Sequence, residues 1–195
     1  VHPSQGHHEN TLANALAYRF ASRGEHFVFR AVNRLDRDTT GLLLIAKHKI
    51  SGAFLSAMTA KKEIRRAYLA IVAGKPEESG TIDLPIARKD GSTIERCIDM
   101  DHGEHAVTHY RCLDYRDDLG CSLLRLCLET GRTHQIRVHM KAIGHPLLGD
   151  FLYNPDYRFI GRQALHSYTV AFRHPITGEA MEFTAPMPED FSFFY

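Results

Sequence analysis

Two strand-like runs, 107–115 and 122–129, flank the turn-forming Asp117-Asp118-Leu119-Gly120. Runs of this length around such a turn predict an antiparallel pair. A lone hairpin is marginal in water, so this pair must be extended and covered by other elements. Candidates are abundant. Residues 42–47, 68–73, 81–87, 94–100, 164–173 and 181–185 all read as strands, and Lys89-Asp90-Gly91-Ser92 reads as the turn of a second hairpin between 81–87 and 94–100. Helical spacing shows at 11–23 through Leu12, Leu16 and Phe20, with Asn10 or Thr11 able to cap and Gly24 able to end it. It shows again at 50–62 through Phe54, Leu55 and Met58, and in a short helix from Thr133 with Ile136, Met140 and Ile143 on one face. Strands outnumber helices and do not alternate with them. The expected class is α+β, a mixed, mostly antiparallel sheet flanked by helices and loops.

At 195 residues the chain reads as one domain, 1–195, with 44% hydrophobic and 24% charged residues. No apolar run approaches the ~20 residues that span a bilayer, and no signal-peptide pattern opens the chain. The net charge of +1 is far from that of a strongly basic nucleic-acid binder. Clustering matters more than the sum. Lys61, Lys62, Arg65 and Arg66 form one basic group, whose bland reading is a solvated helix end; Arg132, His134, Arg137, His139 and Lys141 form another. Of the four cysteines, Cys97, Cys112, Cys121 and Cys127, none makes a C-x-x-C pair. Cys112 and Cys127 read as small buried hydrophobes, which fits a reducing, cytoplasmic setting. Thirteen histidines lack metal-ligand spacing, so no metal site is expected.

The most informative stretch for function is Arg34-Leu35-Asp36, followed by Asp38-Thr39-Thr40-Gly41 and the apolar run Leu42-Leu43-Leu44-Ile45-Ala46. In an extended segment this spacing puts the carboxylate and the guanidinium on one face. The apolar run reads as a buried strand that would hold the acid rigidly. A second stretch, Gly131-Arg132-Thr133-His134-Gln135-Ile136-Arg137-Val138-His139, brings further arginines.

These two stretches, in this order, resemble the signatures of RluA-type pseudouridine synthases, HRLD-x-x-T-[ST]-G and GR-x-HQIR-x-H. The second is matched fully. In the first, Asn33 stands where the family has His, a change that touches local hydrogen bonding. Arg66-Ala67-Tyr68-Leu69-Ala70 is similar to the family's K/R-x-Y strand. Gly144-His145-Pro146-Leu147-Leu148-Gly149-Asp150 is similar to its G-x-P-[IL]-x-GD turn. Leu165-His166-Ser167, Phe172-Arg173-His174-Pro175 and Ala185-Pro186-Met187-Pro188 resemble its last strands. The resemblance implies a bent sheet crossed by a cleft, and an N-terminal strand ending where this chain opens on Val1-His2-Pro3-Ser4. The expectation is a catalytic domain lacking that strand and any preceding RNA-binding domain.

What the resemblance implies chemically is the isomerisation of uridine to pseudouridine in structured RNA, without redox change and so without a cofactor. Asp36 would be the catalytic carboxylate, as nucleophile or as counter-charge to a cationic sugar. Asp38 fits a turn role. Arg137 would be the cation that keeps the acid ionised, free on its helix to face the cleft. Tyr68 would offer an aromatic face and a hydroxyl for proton transfer. Arg34 would enter the RNA stack when the target base leaves, or bind the adjacent phosphate. Ile136 would pack on the base, and Arg132 and His134 complete the substrate-binding set. The partner would be RNA, ribosomal first and transfer RNA as the alternative, with no DNA, no membrane and a monomeric enzyme. Two other classes compete. A non-catalytic RNA-binding module would not need Asp36, Tyr68 and Arg137 together. A glycosidase-type hydrolase needs a second carboxylate, and Glu129 is the one acid near a motif.

Overall fold

The computed structural model describes residues 9–195. Val1–Ser4, where the N-terminal strand was expected to end, lie outside the described residues. In chain order the elements are α1 (Leu12–Ala21), β1 (Thr40–Gly41), α2 (Lys49–Ala60), β2 (Arg65–Ala73), β3 (Ser79–Asp83), β4 (Ile86–Arg88), β5 (Arg96–Ile98), β6 (Val107–Arg116), β7 (Cys121–Leu128), α3 (Gln135–Ala142), β8 (Leu165–Arg173) and β9 (Ala180–Thr184). A 3-10 helix, Glu189–Phe194, follows. Seven strands form one sheet in the order β1-β8-β2-β7-β6-β3, with β9 also on β8. Among the described residues, only β1 and β8 run parallel. The class is α+β, as the sequence predicts, and β6–β7 is the predicted antiparallel pair.

Strand β2 shows why its sequence is nearly all apolar. Tyr68, Ala70 and Val72 project to one face, with Leu124, Leu126, Ile136 and Met140. Leu69 and Ile71 project to the other, with Leu123, Phe191 and Phe194. A strand covered on both faces reads as a continuous hydrophobic run rather than an alternating one. Helix α3 covers the first face and the C-terminal 3-10 helix covers the second. At Ala67/Tyr68 the β2–β8 register shifts, a bulge of the kind that re-aims a side chain beside a site.

Several expectations are corrected. The strand expected at 42–47 does not form; the ladder is Thr40–Gly41, just before it. Beyond that the chain is extended and pairs irregularly, with Val32 N donating to Leu44 O at 2.8 Å and one bridge between Ala31 and Ile45. Leu44 N donates to the Asn33 side chain at 2.9 Å rather than to a backbone carbonyl, so no regular ladder continues. Residues 34–36 are coil, not strand. The strand expected at 81–87 is two strands of different sheets, because Pro85 brings no N–H and separates β3 from β4. On α1 no residue is buried. Phe20 stacks on Phe27 at 4.2 Å instead of entering a core. On α2 Leu55 is buried but Phe54 is 51% exposed. Cys112 is half-buried at the edge of the core that holds Leu124 and Leu126, and Cys127 is exposed because the cover over its face of β7 stops at Leu123.

Candidate active site

A cleft of about 890 Å³ runs beside β2 and the start of α3. Arg34, Asp36, Tyr68, Arg132, His134, Ile136 and Arg137 all line it, so the residues singled out in the sequence converge on one place. A smaller hollow of about 370 Å³ adjoins it, lined by Arg88 and Arg96 and sharing Arg34, Gly131, Arg132 and Thr133 with the cleft.

The Asp36 side chain is 24% exposed and accepts from Arg137 Nη1 at 3.4 Å. Arg137 lines the cleft, as expected, and is also paired from behind. Arg137 is 1% exposed and donates through Nε and Nη2 to Asp150, at 2.7 and 2.8 Å. Burial alone would lower its pKa, but the two bonds and the charge of Asp150 outweigh this and raise it. Asp150 is itself fully buried, and its Oδ1 also accepts from Leu152 N and Tyr153 N. Two acids thus share one arginine, one sealed and one open to the cleft.

Asp150 was visible only as the end of the Gly149-Asp150 turn, with no role attached. Gly149 has a φ of +66°, and a Cβ there would lie 2.2 Å from Arg162 O. Only glycine brings the turn that close, and the turn aims Asp150 under Arg137. Phe151 and Tyr153, which also lie against the Arg137 guanidinium at 5.4 and 5.1 Å, were likewise missed.

His134 precedes α3 in the left-handed region, with a φ of 58°. Tyr153 takes the Arg96 N–H at 2.9 Å, so its hydroxyl proton is available to His134 Nδ1 at 3.0 Å. Burial pushes Tyr153 up to about 12 and pulls His134 down. Gln135 satisfies all its bonding capacity. Its Oε1 accepts from Thr130 Oγ1 and Arg132 N, and its Nε2 donates to Val107 O and Thr108 Oγ1. It was read only as part of a motif, yet it fastens the start of α3 to β6.

Tyr68 is 7% exposed and packs with Ile136, which is 3% exposed. Burial raises the Tyr68 pKa, so its phenol stays protonated. Asn33 accepts from Leu44 N, while its buried Nδ2 has no partner. Among the described residues, Arg34 is exposed and makes no ion pair or hydrogen bond. Arg132 is held by Glu104 and by His105 O.

The second basic cluster is divided, with Arg132 and Lys141 exposed and Arg137 and His139 buried. Arg137 is committed to Asp150, and His139 is buried between Thr108 Oγ1 and Leu84 O, both at 2.9 Å. The cleft lining still carries Arg34, Arg37, Lys62, Arg65, Arg66, Arg132 and Arg137 against Asp36 and Glu129. That local excess of cations is large in a chain of net charge +1. Glu129 lines the same cleft, but His109 and Lys62 occupy its carboxylate at 2.8 and 3.2 Å and lower its pKa.

A family model described as RNA pseudouridylate synthase matches residues 2–142. The uncharacterized RNA pseudouridine synthase YjbO of Bacillus subtilis is 44% identical over 191 residues, covering 97% of this chain and 66% of the relative. Ribosomal large subunit pseudouridine synthase D of Zymomonas mobilis is 42% identical over 209 residues, covering 100% and 65%. The chain therefore spans just under two thirds of the length of these relatives. Among solved structures, human RNA pseudouridylate synthase domain containing 1 superposes with a TM-score of 0.77 at 30% identity, covering 91% of this chain and 74% of that one.

Proposed function

The chain belongs to the RNA pseudouridylate synthase family, and on that basis we propose that it isomerises specific uridines to pseudouridine in structured RNA, with Asp36 as the catalytic carboxylate. The observation that carries this reading is the Arg137 fork. It leaves Nη1 for an acid that is open to the cleft, while Asp150 pairs with the guanidinium from behind.

In the proposed reaction the N1–C1′ bond breaks, the uracil turns, and a C5–C1′ bond forms. The C5 proton leaves and N1 gains one, so product and substrate are isomers. Asp36 serves C1′ as nucleophile or as counter-charge to the cationic sugar. Tyr68 and Ile136 give the uracil an aromatic and an aliphatic wall. His134 and Arg132 meet the base or its phosphates. Arg34, a cation without a partner among the described residues, stands on the rim shared with the neighbouring hollow and takes the place of the departing base or holds its phosphate. The same hollow, with Arg88 and Arg96, offers a path for the phosphates of the flanking strand.

Large-subunit ribosomal RNA is the proposed substrate, supported by several relatives that are ribosomal large subunit pseudouridine synthases. The test is release of tritium from 5-tritiated uridine in large-subunit ribosomal RNA transcribed in vitro, with nucleoside analysis of the product. Pseudouridine should form with the wild type and fall below detection with Asp36→Asn, which keeps its fold and still binds RNA. Turnover by Asp36→Asn refutes the assignment of the acid. Free uracil in place of pseudouridine makes the protein a hydrolase.

A further inference from the structure

The four residues after Asp36 are held, one after another, by a single short stretch of chain. Gln163 is fully buried and donates through Nε2 to Arg37 O and, at 3.2 Å, to Thr39 Oγ1. Arg162 Nη1 donates to Asp38 O at 3.1 Å. His166 Nδ1 lies 2.8 Å from Thr40 Oγ1. Beyond these, Leu42 N donates to Ser167 O at 2.9 Å. Within the turn, Thr39 N donates back to Asp36 O at 3.1 Å, and Asp38 sits at a φ of +68°. On its N-terminal side, Asp36 is preceded by coil and by Arg34, which has no partner among the described residues.

The anchor has its own anchor. Arg162 turns its Nε and Nη2 away from the turn, and both donate to Asp190 at 2.7 Å. Asp190 belongs to the C-terminal 3-10 helix, which is fixed by the buried Phe191 and Phe194. A chain of contacts thus runs from the C-terminal core through Asp190 and Arg162 to the carbonyl two residues after the acid.

We propose that Gln163 and Arg162, the latter braced by Asp190, are positioning residues that hold the Asp36 carboxylate at its working geometry through the Arg37–Thr40 turn. This rests on the reading of Asp36 as the catalytic acid. The physical reason is that Asp36 is partly open to the cleft and has one longer contact, to Arg137. One such contact cannot by itself fix a carboxylate to the fraction of an ångström that attack at a sugar carbon requires. Backbone clamped at several successive residues can. Gln163 makes a specific prediction, because its amide is the donor that the Arg37 carbonyl and the Thr39 hydroxyl share.

The experiment measures single-turnover conversion at saturating enzyme, the RNA dissociation constant and thermal stability for Gln163→Leu, Asp190→Ala and Asp190→Asn, with the full chain and the tritiated ribosomal transcript. Misplacement of a reacting group by about 1 Å costs on the order of 100-fold, so Gln163→Leu should lose roughly 10- to 100-fold in rate with its RNA affinity unchanged. Asp190→Ala, at a half-exposed position that leaves the core intact, should lose less, and Asp190→Asn should recover part of the loss by keeping an acceptor for Arg162. A wild-type rate in Asp190→Ala overturns the proposal. So does a folded Gln163→Leu with wild-type rate, or a loss confined to RNA affinity. Asp36→Asn, run alongside, separates the two readings. Turnover there refutes the role of Asp36, whereas an inactive Asp36→Asn beside a wild-type Asp190→Ala refutes the clamp alone.

Discussion

Arg137 holds Asp150 through two short bonds, 2.7 and 2.8 Å, and reaches Asp36 through a single longer one, 3.4 Å. The two acids therefore play unequal parts. Asp150 is sealed from water and compensates the arginine; Asp36 faces the cleft and stays partly exposed.

From this asymmetry follows a difference in stability. Removing one partner of a buried ion pair leaves the other charge uncompensated, at a cost of about 3–5 kcal/mol. Asp150→Asn should therefore destabilise the fold by that order, and Arg137→Met likewise. Asp36→Asn should change stability little, since it removes one long contact at an open position. Urea denaturation of the three variants decides it. Equal losses at Asp36 and Asp150 would mean that the arginine divides its charge evenly and that the asymmetry is illusory.

The elements around the site were legible where a strand or helix had a simple cover. Strand β2 stood out because both faces of the sheet are buried there, and the β6–β7 pair because its two long runs flank a turn. The failures have physical causes. Leu42–Ala46 is as apolar as a core strand, but its hydrogen bonds go partly to a side chain, Asn33. Leu12, Leu16 and Phe20 have helical spacing, and spacing alone cannot reveal that none of the three becomes buried. Within the site, Asp36 and Arg137 could be nominated from local motifs. Asp150, Gln163 and Arg162 act on them from segments distant in sequence, so no local pattern carried their roles.

Acidification offers an independent check on the interior of α3. His139 is neutral in the folded protein. Its Nε2 proton goes to Leu84 O, while the Thr108 hydroxyl, which accepts from Gln135, donates to Nδ1. Burial lowers its pKa, and burial lowers those of His134 and His166 as well. An unfolded histidine titrates near 6.5. Below that pH the unfolded chain binds more protons than the native one, so stability must fall as the solution is acidified. Above it the stabilisation is complete. Melting curves should drop progressively from about pH 6.5 downwards, and the slope should be shallower in His139→Gln, which keeps a donor for Leu84 but cannot titrate. An unchanged slope in that variant would assign the acid sensitivity to the other two histidines.

Arg34 separates binding from base extrusion. It stands on the rim between the cleft and the neighbouring hollow, exposed and unpaired among the described residues, two positions from Asp36. A cation that only gripped phosphate would add to affinity for all RNA about equally and steepen the salt dependence. A planar guanidinium that fills the gap left by the base instead offsets the few kcal/mol that unstacking costs. Each ~1.4 kcal/mol of that offset is tenfold in rate. Arg34→Ala should therefore slow single-turnover conversion at saturating enzyme by about tenfold or more, with a smaller change in dissociation constant. A 2-aminopurine beside the target uridine should report slower unstacking in the variant. Should the saturated rate match wild type while only the dissociation constant and its salt slope change, Arg34 is a phosphate anchor, and base extrusion is driven by other groups in the cleft.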